Sequence, residues 1–197
     1  NMAISKVTSA SITTNAVGPT QLNEASNYDF TGTVTGAGET NTPAFNIYRG
    51  STQTVSDSTE TKVALDQVII DTDSGFDATN DRWTVPSGKA GKYVVSFRVL
   101  GAGGGSGSGA NSQTNSVQAL LKLNGTTIAG ANVDFRSNPV REARYSDTIV
   151  LDLSVGDYLE VWGTVAIAGS NTPYFGGGTS GGERNKSGLS GYRITSS

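Results

Sequence analysis

Apolar residues in this chain recur mostly in short runs with a period of two. Ala44-Phe45-Asn46-Ile47-Tyr48 alternates as a β-strand does, and Lys62–Ile70 continues the pattern. Lys92–Leu100 is the strongest run: Tyr93, Val95, Phe97 and Val99 share one side, the side predicted to be buried. Arg82-Trp83-Thr84-Val85 is shorter and is stopped by Pro86. Ser116–Leu123 runs into Asn124-Gly125, a pair that suits a two-residue hairpin because both positions need positive φ; Thr126–Phe135 is the return strand. Ser146–Leu153 and Asp157–Val165 flank Ser154-Val155-Gly156, and Leu189–Ile194 closes the series. Nothing holds a helical period beyond one or two turns, and no internal repeat is visible. The pattern predicts an all-β domain of about eight or nine short strands with turns at sandwich spacing.

Residues 1–43 are different. Their apolar residues are isolated: Ile4, Val7, Ile12, Val17 and Leu22. A segment this thin cannot build its own core, so it is expected to lie on something, to trimerise or to stay loose. Tyr28–Thr35 alternates as a strand, and Gly36–Asn41 reads as a linker. The expected organisation is therefore a thin segment over 1–43 and a domain over 44–197.

Composition narrows the chemistry. Hydrophobic residues make up 35% and charged residues 16%, both below the roughly 45–50% and about 25% of average chains. A net charge of -3 is too small for the usual disordered chain. With no Cys and no His, disulfides, thiolate nucleophiles, Cys/His zinc sites and imidazole catalysis are excluded. A pI near 4.9 with dispersed charge argues against a nucleic-acid partner. No apolar stretch reaches membrane-spanning length, and the N-terminus lacks the apolar core of a signal peptide.

Four motifs invite a chemical reading. Asp71-Thr72-Asp73-Ser74-Gly75-Phe76-Asp77 begins like a calcium loop, but Arg82 stands where such a loop needs Glu; a solvated Asx-rich turn is the plainer reading. Gly101–Gly109 lacks the helix and Lys of a phosphate cradle and reads as a flexible tip loop, where binding surfaces commonly lie. Asp134, Glu142, Asp147, Asp152, Asp157 and Glu160 could supply a carboxylate pair for glycoside hydrolysis, but nothing places two of them across a groove. Tyr174-Phe175 beside Gly176-Gly177-Gly178 reads either as core closure or a trimer contact, or as an aromatic ligand platform. No enzyme activity, cofactor or metal is expected.

Phe76–Pro86, then Gly91-Lys92-Tyr93 and Phe97, resembles the signature of the complement C1q globular head. Ala44-Phe45-Asn46-Ile47 resembles that family's opening strand. Leu121-Lys122-Leu123-Asn124-Gly125 is similar to its Lys-Asn-Gly hairpin, with Leu123 inserted. Leu153–Val161 resembles its Gly-Asp strand pair, and Leu189–Ile194 its closing strand. The resemblance spans residues 44–194 and implies a ten-stranded antiparallel jelly-roll sandwich, shared with the tumour-necrosis-factor family, that assembles as a homotrimer. Gly101–Asn115 and Gly176–Lys186 depart from it by expanding two loops, and no calcium-ligand position of the family matches.

Ile4-Ser5-Lys6-Val7-Thr8, Ile12-Thr13, Ala16-Val17, Leu22 and Phe30–Gly36 resemble the N-terminal segments and shafts of bacteriophage fibre proteins, several of which carry C1q-like heads. This implies a protein of the virion surface. Residues 1–43 would anchor it to other virion proteins through Ile4, Val7, Ile12, Val17 and Leu22. The knob would bind host-surface glycan or protein for attachment, or the whole would decorate the capsid as a head fibre. Ligand contacts are expected in the loops, at Gly103, Ser106, Asn111, Arg136, Arg141, Tyr174, Phe175 and Arg184. Neither nucleic acid nor membrane insertion is expected.

Overall fold

The computed structural model describes residues 42–103, 113–180 and 185–196. The N-terminal readings, Ser106, Asn111 and Arg184 lie outside these. All described residues belong to one compact unit, Glu39–Ser197, and none of them is helical.

Among the described residues thirteen strands form, in order β1 (Ala44–Tyr48), β2 (Gln53–Thr54), β3 (Thr61–Lys62), β4 (Gln67–Asp71), β5 (Phe76–Asp77), β6 (Arg82–Thr84), β7 (Gly91–Gly103), β8 (Thr114–Leu123), β9 (Thr126–Asp134), β10 (Glu142–Leu153), β11 (Tyr158–Ile167), β12 (Pro173–Phe175) and β13 (Gly188–Ser196). They make two antiparallel sheets. The first runs β4-β1-β13-β7-β10, with β12 beside the far end of β7 and β2 beside β12. The second runs β5-β6-β11-β8-β9, with β3 also on β11. Sheet pairing keeps each strand's inward residues in register, so one core fills the gap between sheets. Tyr93, Val95, Phe97 and Val99 are fully buried, as their alternation predicts, against Val117, Leu121 and Val161 of the other sheet. Trp83 stacks on Phe45, with ring centroids 4.0 Å apart.

One predicted strand is corrected. Lys62–Ile70 is two elements, β3 in the second sheet and β4 in the first. Between them Val63 and Leu65 are fully buried. Their alternation reflects a chain that crosses the core's edge while plugging it, which period alone does not separate from a strand. The two-residue elements β2 and β5 and the short β12 are too brief to leave a periodic signal.

The hairpin forms where expected. Asn124 (φ 51°) and Gly125 (φ 80°) make the turn between Leu123 and Thr126. The Asp157 carboxylate accepts from the Ser154 N–H and the Asn124 side-chain amide, both at 2.8 Å. This ties two turns together at one end of the sandwich, here called the base. Chain entry and exit lie at the same end: Ala44 pairs with Tyr192, and Gly91 with both Leu153 and Ser196. The opposite end, where β7, β9 and β11 finish and β8 and β10 start, is the tip.

Candidate functional site: the loop end and two apolar surfaces

At the tip Thr114 ties the end of β7 to the connection between β9 and β10. Its side chain is fully buried. Its hydroxyl accepts from the Gly103 N–H at 2.7 Å and donates to the Arg141 carbonyl at 3.0 Å. Its backbone exchanges hydrogen bonds with Val140 at 2.8 and 3.0 Å. The Phe135 N–H bonds the Asn115 carbonyl at 2.6 Å, and the Asn138 N–H closes a turn on Phe135 at 2.7 Å. Asp134, Phe135, Arg136, Ser137 and Asn138 thereby line an open hollow. Arg136 pairs with Asp134 at 2.7 Å, and its N–H, then its guanidinium, hold the Asp134 carboxyl below the ordinary value.

Gly103, Arg136, Arg141 and Tyr174 therefore come to one end of the molecule. Arg136 and Arg141 are exposed and Tyr174 half-buried. Gly103 has a structural reason to be glycine: a Cβ there would sit 2.2 Å from Ile167 Cγ2. Phe175 is corrected as a ligand contact. It is fully buried and belongs to the core cluster, so its place is the core-closing one. Thr114 was not singled out in the sequence, since a Thr at the start of a strand carries no distinguishing pattern. Thr114→Val is expected to leave the buried Gly103 N–H and the part-buried Arg141 carbonyl unpaired. This should cost about 1–3 kcal/mol, read as a lower urea midpoint, and speed hydrogen exchange at Gly103.

The acidic loop is committed to its own architecture. Asp71 accepts from the Gly75 and Phe76 N–H groups at 3.1 and 2.9 Å, Asp73 pairs with Lys89 at 2.8 Å, and Asp77 accepts from the Asn80 amide at 2.7 Å. Among the described residues, no three acidic side chains converge as metal ligands do. The Lys89 bond holds the Asp73 carboxyl below the ordinary 3.8, and bonds from Asn80 do the same for Asp77. Burial pushes Asp81 the other way. Depressed carboxyl groups contribute stability that is complete above their unfolded pKa and lost as pH falls through the folded values. Asp81, with its raised value, gains on protonation and opposes them. The contribution of Asp73 is therefore lost as pH drops below about 4, and Asp73→Asn should flatten that fall in calorimetry across pH 2–6.

Four of the six carboxylates considered for hydrolysis are already engaged, Asp152 among them through Lys92 at 3.8 Å. Asp134 pairs with Arg136, Asp157 caps its turn, and Glu160 pairs with Lys62 at 2.6 Å while accepting from Trp162 Nε1 at 3.1 Å.

Two surfaces away from the tip are apolar. On the outer face of the first sheet, Ala44, Tyr192, Val94 and Val150 form one row across four strands. Tyr192 is 47% and Val150 63% exposed. Ile70, Ala44, Val94 and Tyr192 help line a groove of about 250 Å³. The second surface is the flank where β9 and β10 lie. Each of these strands is paired along one side only. Tyr145, Ile149, Leu151 and Val133 are only partly covered there. The sequence carried a signal for both: Val68-Ile69-Ile70, Val94-Val95 and Ile149-Val150-Leu151 are continuous apolar runs, which suit strands covered on both faces.

No protein-family model matches the sequence, and no curated protein matches it. Solved structures do match. The globular domain of zebrafish complement 1qA protein aligns with a TM-score of 0.53 at 15% identity, covering 79% of this chain and 98% of that one. Eiger TNF from S. frugiperda aligns at 0.51 and 12% identity, covering 78% and 93%. The fold is the C1q/TNF jelly roll. In this C1q/TNF-like fold β1 pairs with β13 and β13 with β7, so Ala44 and Ser196 lie at the base, away from the tip.

Proposed function

We propose that the chain is a virion surface protein of a bacteriophage, a homotrimeric fibre or spike whose C1q/TNF-like knob attaches to host-surface glycan or protein. The observation that carries this reading is the polarity of the knob. The chain enters at the base, where β1 begins, and the loops of the tip lie at the other end. A thin preceding segment that docks on a particle would then hold the tip outward. The phage assignment rests on the resemblance of residues 1–43 to fibre segments.

Self-association is supported by the two apolar surfaces. A face and a flank on different parts of one chain cannot cover themselves, but each can cover the other on a neighbouring copy. An open edge with apolar neighbours invites aggregation unless it is covered. Three knobs side by side would point three sets of tip loops the same way, so weak single contacts would gain by avidity. Attachment needs no catalysis, cofactor or metal.

Gold-labelled antibody against the chain should decorate intact virions. Particles left bare by antibody that binds the free protein would sink the assignment. A second reading, capsid decoration through the N-terminal segment, rests on the same isolated apolar residues of 1–43. Labels on the capsid shell in many copies, and not on the tail, would select it.

A further inference from the structure

The charges around the two apolar surfaces are unevenly placed. Arg98 and Arg144 stand on the outer face of the first sheet. Pairing of β10 with β7 sets Ser146 opposite Arg98 and Arg144 opposite Leu100, so the two arginines are diagonal neighbours on one side of the sheet. Arg98 is half-buried, and its four hydrogen bonds go to uncharged acceptors: the Asn185 carbonyl at 2.8 Å, Asn185 Oδ1 at 2.6 Å, Asn46 Oδ1 at 3.2 Å and Ser190 Oγ at 3.2 Å. Burial first, and the charge of Arg144 second, lower its pKa to about 10. Among the described residues no carboxylate forms an ion pair with either arginine. Two like charges, one of them partly out of water, make a place that lacks a counter-charge.

A matching carboxylate exists on the flank. Asp147 is exposed, and no cation pairs with it among the described residues. Its carboxylate accepts from the Thr148 N–H at 2.7 Å and from the Tyr145 hydroxyl at 3.5 Å. Strand alternation puts Asp147 on the side of β10 opposite to Arg144, so it cannot serve the arginines of its own chain. Glu142 shares the side of Arg144 but forms no ion pair with it.

We propose that a second copy of this chain supplies the missing charge: Asp147 on the flank of one copy enters between Arg98 and Arg144 on the sheet face of the next. This rests on the self-association reading and adds the contact that fixes which surface meets which. Each copy gives a carboxylate from one side of β10 and takes one on the other. The contact is therefore heterologous and closes only as a ring. Charges placed this way set register and reject wrong pairings, which apolar patches alone do poorly.

The test compares the full chain with Asp147→Arg, Arg144→Asp and the variant carrying both, by sedimentation in 0.1 M NaCl, with circular dichroism to confirm folding. Arg98 is left intact because it holds Asn185. Each single reversal should weaken assembly roughly tenfold or more, and the double exchange should assemble at least threefold better than Asp147→Arg alone, short of the wild type because Arg98 then faces a like charge. Wild-type protein that assembles while every variant assembles equally well would overturn this contact and leave self-association standing. Wild-type protein that stays a single chain would overturn both. Assembly indifferent to Asp147 but dependent on added phosphate would overturn it too, giving the arginines to a small anion.

Discussion

Trp83→Ala should cost the knob about 3–5 kcal/mol, the range for truncating a large buried aromatic. Trp83 is fully buried, stacks on Phe45 of the first sheet at 4.0 Å and leans on Tyr93 at 5.7 Å. It thus joins β6 of one sheet to β1 and β7 of the other. Its indole N–H points to Asp71, at 3.4 Å, and Asp71 orders the turn into β5 through Gly75 and Phe76. Neighbours on two sheets cannot collapse into the space without shifting strands, so the loss should fall at the upper end. At about 2–4 °C per kcal/mol for a chain of this length, the melting point should drop by roughly 6–20 °C. A shift under about 3 °C would mean that the two sheets are held by something other than this stack.

Val94→Arg should leave the knob folded and break its assembly. Val94 lies at the centre of the row Ala44–Tyr192–Val94–Val150, on the outer side of β7, while Val95 faces the core. An arginine there meets water in a single chain, so the melting point measured below the assembly concentration should hardly move. In a covered interface the same charge loses its hydration with no carboxylate to receive it. A penalty of about 2–3 kcal/mol per contact would weaken each roughly 30- to 150-fold. Light scattering at micromolar concentration should then report the mass of one 20.3 kDa chain. An unchanged assembled mass would move the interface off this face.

The strong strands were legible because burial on one face leaves a period of two, as at Lys92–Leu100, and the hairpin because positive φ selects Asn-Gly. Lys62–Ile70 misled for the same reason, since Val63 and Leu65 alternate while crossing between sheets. The tip was legible only as a set of loops. Which residues hold it depends on Thr114 meeting Gly103 and Arg141 across two connections, and such contacts have no period. Phe175 shows the limit from the other side. An aromatic beside glycines looks like a platform or a plug, and only its place opposite Gly101 on β7 makes it a plug. The outer face of the first sheet was written in the sequence as continuous apolar runs; its pairing with Asp147 depends on sidedness along β10, visible only once the register is fixed.

The most direct measurement is binding of labelled full-length protein to host cells and, in parallel, to capsids stripped of it. The account predicts saturable binding to cells that blocks infection and falls when Arg136 and Arg141 at the tip are replaced. Binding to capsids alone, at fixed stoichiometry, would transfer the function to decoration. Binding to neither would contradict the virion assignment.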